Sequence, residues 1–409
     1  MSSMTDMPDR VLGREVPPPL SPFRILEFGD RLTAYCGKVL ADLGADVIQI
    51  EPPSGSGMRL SPPFRDGELT KESSLFFAYY QHNKRGITLD WSSDNARSIL
   101  EELARGADVV LHSPDARHPL IGFDPESASI CWKGDNVHSC FITPFGLTGP
   151  LRNWRATPFT SFAMSGLMHP VGPPEGPPIA QPGQQLYDEC GLHAAMMIQA
   201  LFLRPTSPAQ IVDISVHEVG WFNKISLERY GLKGRIATRA TNFGPPPGGI
   251  WQCSDGLIDI ASHAPRHWDI FLKVLDEPEM LMDPLYQDRG MRVQLFDLLT
   301  PFIAELLSTR SAKELVERGQ AAGLPCALMY TPSEFLDDIQ ARERGFFVES
   351  SREGTGEFDI PGRPFRAIPD LLSYRRSAPS LGEHNEAIYV NELGHSRREL
   401  ASWRTSGLI

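Results

Sequence analysis

Short apolar runs alternate along this chain with stretches whose apolar positions recur every three or four residues. Arg24–Phe28 (RILEF) has the character of a buried strand. A helix is expected over about 33–43, with Gly44 as its stop signal. Segments 46–50 (DVIQI), 86–90 (GITLD), 108–111 (DVVL) and 137–143 (VHSCFIT) read as further strands. Segment 92–104 reads as a helix, with Ser, Asp and Asn at its start and Ala96, Ile99, Leu100 and Leu103 on one face. Strands alternating with helices predict an α/β fold, a parallel sheet covered on both faces. Such sheets bind ligands at the carboxyl ends of their strands.

Further on, 144–185 is rich in Pro and Gly and holds one apolar segment, 159–168. A long helix is expected from Asp188 to about 203, then a strand over 210–216 (QIVDISV) and a helix over about 217–230. A loop at 241–249 (TNFGPPPGG) leads into a hairpin over 250–262 that turns at Ser254-Asp255-Gly256. Helical segments fill 265–322, while 354–361 and 369–384 read as irregular. The resulting division is a flexible arm at 1–23, a large domain from 24–225 and 334–409, and a small domain at 226–333.

At 409 residues the chain is too long for one simple core, in keeping with two domains. It has no apolar run of about 18 residues, so no membrane span is expected. Its first 20 residues are polar and Pro-rich, unlike a signal peptide, which leads to the expectation of a cytoplasmic protein. The six cysteines lack CxxC spacing and suggest neither a zinc site nor a disulfide scaffold; no metal is expected. A net charge of −12 without a basic block argues against a nucleic-acid partner. Asp30-Arg31-Leu32-Thr33-Ala34 stands where a dinucleotide-binding GxGxxG would follow the first strand, and P-loop, HExxH and GxSxG motifs are missing.

The candidate chemistry centres on Leu186-Tyr187-Asp188-Glu189-Cys190-Gly191, where the Pro/Gly-rich loop gives way to the long helix. A carboxylate there is expected to be half-buried near a helix N-terminus. Taken alone, Asp188 reads most simply as an N-cap worth about 1 kcal/mol. In an enzyme it is the candidate nucleophile. Glu189 reads as charge in the first helical turn, and Cys190 as a packed thiol.

Several segments in this order resemble the class III CoA-transferase family of CaiB/BaiF type. They are Leu40-Ala41-Asp42-Leu43-Gly44-Ala45-Asp46-Val47-Ile48 with Glu51-Pro52-Pro53, Asn83-Lys84-Arg85, Phe145-Gly146 with Thr148-Gly149-Pro150, Ala163-Met164-Ser165-Gly166-Leu167, Val212-Asp213-Ile214-Ser215, Ser254-Asp255-Gly256, Gly323-Leu324-Pro325-Cys326 and Leu381-Gly382-Glu383-His384. The resemblance implies a large Rossmann-like domain made from both chain ends, a smaller central α+β domain, and an interlocked homodimer with its site between the domains. It implies acyl-CoA and a carboxylic acid as substrates, with coenzyme A as co-substrate. Asp188 aligns with the family's nucleophile, which forms a mixed anhydride and then an aspartyl-CoA thioester. Lys84, Arg85, Arg59, Pro52 and Pro53 match segments that line the CoA site, and Gly248 and Gly249 match a loop near the intermediates. Here Pro245-Pro246-Pro247 stiffen that loop.

Some positions depart from the family's pattern. A CoA-contacting Asn-Phe-Arg-Pro-Gly stretch is replaced from His112 onward, with Arg117 as a compensating cation. Thr157-Pro158 occupies the place where the racemase branch carries His-Asp. Racemisation needs two bases across the α-carbon, so CoA transfer is the expected activity. The alternatives are an acyl-CoA racemase or isomerase and a degenerate acyl-CoA-binding homologue. Phe159, Phe162, Met164, Met168 and Trp154 are candidates for an apolar acyl pocket.

Overall fold

A computed structural model describes residues 17–113, 123–124, 129–130, 137–173, 175–204, 208–222, 231–232, 234, 239, 245–366 and 374–409. The chain forms two compact units, one from 1–168, 180–224 and 345–409, the other from 169–179 and 225–344.

In the first unit, the apolar runs become β1 (Arg24–Phe28), β2 (Asp46–Glu51), β3 (Arg85–Thr88) and β4 (Val109–His112). Between them lie α1 (Ala34–Asp42), α2 (Leu75–Gln81) and α3 (Ala96–Arg105). A two-residue antiparallel ladder joins β5 (Phe123–Asp124) to β6 (Ser129–Ile130). Next come β7 (His138–Thr143), α4 (Pro158–Met164), α5 (Gln185–Phe202), β8 (Ile211–Ser215) and α6 (Val216–Phe222). Six strands pair in the order β3-β2-β1-β4-β7-β8, all parallel. Leu26 of β1 stands opposite Ile48 and Val110, and alternate residues feed opposite faces. Ile25, Val47, Val109 and Leu111 pack with α1 and α5. Leu26, Ile48, Ile50 and Val110 pack with α3 and the C-terminal residues Leu400, Leu408 and Ile409. Burial on both faces explains why these strands read as continuous apolar runs. The order reverses between β1 and β4, where sheets of this type leave a ligand crevice at the strands' carboxyl ends.

Two sequence expectations change in this unit. Helix α5 begins at Gln185, so Asp188 lies in its first turn and does not cap it. Helix α2, LFFAYYQ, was not expected; Ser74 caps it by accepting from the Phe77 N–H. α5 lies close on α1 because position 191 is glycine. A Cβ there would fall 2.8 Å from the Cys36 nitrogen and 3.0 Å from the Tyr35 Cβ. Of the stretch read as a loose arm, 1–16 lie outside the described residues. Leu20 is buried, and its N–H donates to the Leu43 carbonyl at 3.0 Å.

The second unit contains β9 (Gly249–Gln252), β10 (Leu257–Ile260) and β11 (Cys326–Leu328), an antiparallel sheet in the order β11-β10-β9. Its β9–β10 hairpin turns through Ser254-Asp255-Gly256, where turn chemistry predicted it. Trp251, Ile258 and Ile260 pack with Trp268, Phe271, Leu299 and Ile303. Back in the first unit, β12 (Phe347–Arg352) pairs antiparallel with β13 (Gly356–Pro361), so the segment 354–361 read as irregular is mostly strand. Among the described residues no helix is long and apolar enough to cross a membrane.

Candidate active site

The first turn of α5 brings Asp188 beside the C-terminal end of α2. The Tyr80 hydroxyl donates to both carboxylate oxygens of Asp188, 3.0 Å from Oδ1 and 3.0 Å from Oδ2. Gln184, one helical turn earlier, donates from Nε2 to Oδ1 at 3.2 Å. The Tyr80 ring is fixed by neighbours: Phe76 at 4.6 Å, Tyr79 at 4.9 Å and Tyr35 of α1 at 6.1 Å between ring centroids. Among the described residues no Lys, Arg or His forms an ion pair with Asp188. Burial therefore pushes its carboxyl up to about 6, although the Gln184 and Tyr80 hydrogen bonds pull the other way. At about 6 the carboxyl is still mostly ionised at neutral pH. Burial and the Asp188 charge push the Tyr80 hydroxyl well above its usual range, so it remains a proton-bearing donor. Cys190 is fully buried, and burial raises its thiol too.

Thr157, Pro158, Phe159, Phe162, Gln184 and Leu186 line a cavity of about 230 Å³. Two of the aromatic residues expected in an acyl pocket, Phe159 and Phe162, stand in this wall. Met168 is buried, and Trp154 and Met164 are exposed. The Thr157 hydroxyl caps α4 by accepting from the Thr160 N–H at 3.2 Å.

The cations expected to touch CoA are each engaged by carboxylates of the fold. Lys84 is wholly buried, with Nζ 2.7 Å from Glu27 Oε2 and 3.0 Å from the Ala34 carbonyl. It has no open face for a phosphate. Arg59 is equally enclosed: it donates to Glu51 at 2.8 and 2.7 Å, to Glu72 at 2.8 Å and to the Pro379 carbonyl at 3.0 Å, and it covers the Phe77 ring. Arg85 bonds Asp46 and Glu392. Each cation sits opposite carboxylates that sequence spacing did not reveal. His112, at the end of β4, is stacked between Phe28 and Phe141, and burial pushes it down to about 3, leaving it uncharged at neutral pH. Pro52 and Pro53 are half-buried just past the carboxyl end of β2. Arg117 lies outside the described residues. Gly248 and Gly249 belong to the second unit: Gly248 closes a turn by donating its N–H to the Pro245 carbonyl at 3.1 Å, and Gly249 opens β9. There Trp251 and Arg292 hold the Pro247 and Pro246 carbonyls, which keeps the loop packed.

Sequence reasoning missed Tyr80 and Gln184. Gln184 had a usable signal, because residues four apart meet on a helix. Tyr80 had none, lying 108 residues from its partner.

A Rossmann-ordered sheet with a half-buried carboxylate on a helix's first turn has the architecture of an α/β enzyme, and the chain's relatives carry transferase names. The chain belongs to the CoA-transferase family III, whose model matches residues 20–385. It is 30% identical over 397 residues to a formyl-CoA:oxalate CoA-transferase of Streptomyces coelicolor, covering 91% of this chain and 94% of that protein. A probable CoA-transferase of Mycobacterium tuberculosis is 29% identical over 359 residues, 85% of this chain; the chain spans only 44% of that longer relative. The crystal structure of a CaiB/BaiF family protein from Brucella suis superposes with a TM-score of 0.80 at 25% identity, covering 92% of this chain and 100% of that one.

Proposed function

We propose that this enzyme is an acyl-CoA:carboxylate CoA-transferase with Asp188 as covalent nucleophile, working as an interlocked homodimer. The observation that carries this reading is the setting of Asp188: half-buried, held by two neutral donors and paired with no cation among the described residues. A carboxylate bound to Arg or Lys would be stabilised in its resting state and blunted as a nucleophile. Asp188 is partly desolvated, and with its carboxyl near 6 it is about nine-tenths ionised at pH 7. It attacks the acyl-CoA carbonyl, CoA thiolate leaves, and an anhydride forms. The thiolate attacks the aspartyl carbon, and the enzyme carries CoA as a thioester until an incoming acid reverses the steps. One thioester replaces another, so the exchange is nearly thermoneutral.

The cavity beside Gln184 offers the acyl group a largely apolar wall. Pro52 and Pro53 remain the proposed contacts on the adenine side. Leu192, Met196 and Met197 of α5 and Phe222 of α6 expose apolar surface suited to the second subunit. With Thr157 committed to capping α4, no general base stands at that position for racemisation.

The test is exchange of labelled CoA between acetyl-, succinyl- or benzoyl-CoA and free acids. Wild-type enzyme should exchange the label, and mass spectrometry should locate hydroxylamine-trapped hydroxamate on Asp188. Full exchange by Asp188→Ala, or α-hydrogen washout without an acceptor acid, would overturn the reading.

A further inference from the structure

We propose that Tyr80 and Gln184 are catalytic residues that form the oxyanion hole for attack at the carboxyl carbon of Asp188, with Oδ1 as the oxygen that takes the charge. The inference rests on Asp188 being the nucleophile. Its warrant is an asymmetry. Oδ1 accepts from both the Tyr80 hydroxyl and Gln184 Nε2, whereas Oδ2 accepts from Tyr80 alone among the described residues. A carboxylate can only accept, so the Gln184 amide must turn its nitrogen to Asp188. That orientation leaves Gln184 Oε1 buried with no protein donor among the described residues, a cost the site carries to keep the N–H aimed at Oδ1. The Tyr80 hydroxyl holds its proton throughout the working pH range, and its ring is wedged among Tyr35, Phe76 and Tyr79. Two donors, preset and neutral, meet one oxygen.

The chemistry assigns that oxygen a role. In the first stage an Oδ2 lone pair forms a bond to the acyl carbon, the C–S bond breaks, and CoA leaves as thiolate. Oδ1 becomes the carbonyl oxygen of the anhydride. In the second stage the thiolate sulfur bonds to the aspartyl carbon, and the carbonyl electron pair moves onto Oδ1. The Tyr80 O–H and Gln184 N–H then receive a full negative charge instead of half a carboxylate's. Collapse restores the carbonyl, breaks the bond to Oδ2, and releases the first acid as carboxylate with that oxygen. The incoming acid passes through the same tetrahedral species at the aspartyl carbon before attack returns to its own carbonyl. No net proton transfer is needed. Of the four tetrahedral stages, the two at the aspartyl carbon use these donors and the two at acyl carbons do not.

This partition is testable. The enzyme is mixed with the fastest donor among acetyl-, succinyl- and benzoyl-CoA, without acceptor acid. A chromogenic thiol reagent reads the burst of thiolate release, which reports the first stage. In parallel samples without the reagent, rapid quench and intact-protein mass spectrometry read CoA adduct on Asp188, which reports the second. Tyr80→Phe, which keeps the ring packing, should preserve the thiol burst and slow CoA-adduct formation about 10²-fold, the usual cost of one oxyanion donor. Gln184→Met should do the same to a smaller extent, and both should move the acid limb of kcat/KM to higher pH. Equal slowing of both stages, or no slowing of adduct formation, would overturn the assignment of Tyr80 and Gln184 while leaving Asp188 in place. A wild-type enzyme giving neither burst nor adduct would overturn the nucleophile itself.

Discussion

Glu27 and Asp188 are both carboxylates withdrawn from water in the same unit, yet their surroundings differ in kind. Glu27, at the end of β1, is wholly buried against the Lys84 ammonium and also accepts from the Thr33 hydroxyl at 3.0 Å. Asp188 is half-buried and, among the described residues, is held by a phenol and an amide. Burial pushes both carboxyls up, and Lys84 works against the rise at Glu27. The ion pair ties β1 to the residue just before β3 but has no charge to offer a substrate. On the proposed mechanism the cation-free carboxylate keeps its reactivity, and two hydrogen bonds relieve its desolvation only in part. The difference separates structural from chemical charge here, and it also explains why Lys84 and Arg59 were read from sequence as ligand contacts: their partners are brought together only by the fold.

The largest expected effect is on chemistry. Asp188→Asn should lower CoA exchange by about three orders of magnitude or more, measured as kcat with labelled CoA. If Asp188 were structural like Glu27, that substitution would instead mainly lower the melting temperature. Next, Lys84→Met should strand the Glu27 charge and cost about 3–5 kcal/mol in denaturant unfolding, while the double variant Glu27→Gln/Lys84→Met should recover most of the loss. A Lys84→Met protein of normal stability but weakened CoA binding would return Lys84 to the ligand site.

The third test uses pH. Because the folded carboxyl of Asp188 lies near 6, above the usual 3.8, ionising it opposes folding. That penalty is absent below about pH 4, grows as pH rises through 6 and is complete above it. Asp188→Asn should therefore raise the melting temperature at pH 7.5 and leave it unchanged near pH 4, and wild-type kcat/KM should fall on the acid side with a midpoint near 6. The smallest effect belongs to Asp46. Burial would raise its carboxyl, but Arg85 and Arg24 draw it below the usual range, and its side chain is 29% exposed. Asp46→Asn should cost about 1 kcal/mol at neutral pH, a loss that fades as pH falls through its depressed folded pKa. A larger loss would put Asp46 with the wholly buried pairs.

The sheet was legible because strands buried on both faces, such as DVIQI and DVVL, announce themselves as apolar runs between periodic helices. Asp188 taken alone read as a helix cap, and only the family's segments around it singled it out as the candidate nucleophile. Helix α2 was not: LFFAYYQ is apolar along nearly its whole length, and seven residues leave no helical period to detect. The β12–β13 hairpin was hidden because Ser350 and Arg352, polar residues, occupy its buried face. The enclosure of Arg59 was not legible, because its carboxylate Glu51 and the Pro379 carbonyl come from strand and tail, 8 and 320 residues away.

The bond between Tyr80 and Asp188 spans 108 residues, and this bears on when the protein becomes reactive. During synthesis α2 emerges long before α5. In a half-made or misfolded chain, Asp188 is an ordinary solvated carboxylate with an ordinary pKa near 3.9. A contact of this span forms only after the long intervening loop has closed. On the proposed mechanism, the reactivity of Asp188 is thus a property of the finished tertiary structure: a chain that has not closed this contact lacks the two donors that hold the carboxylate.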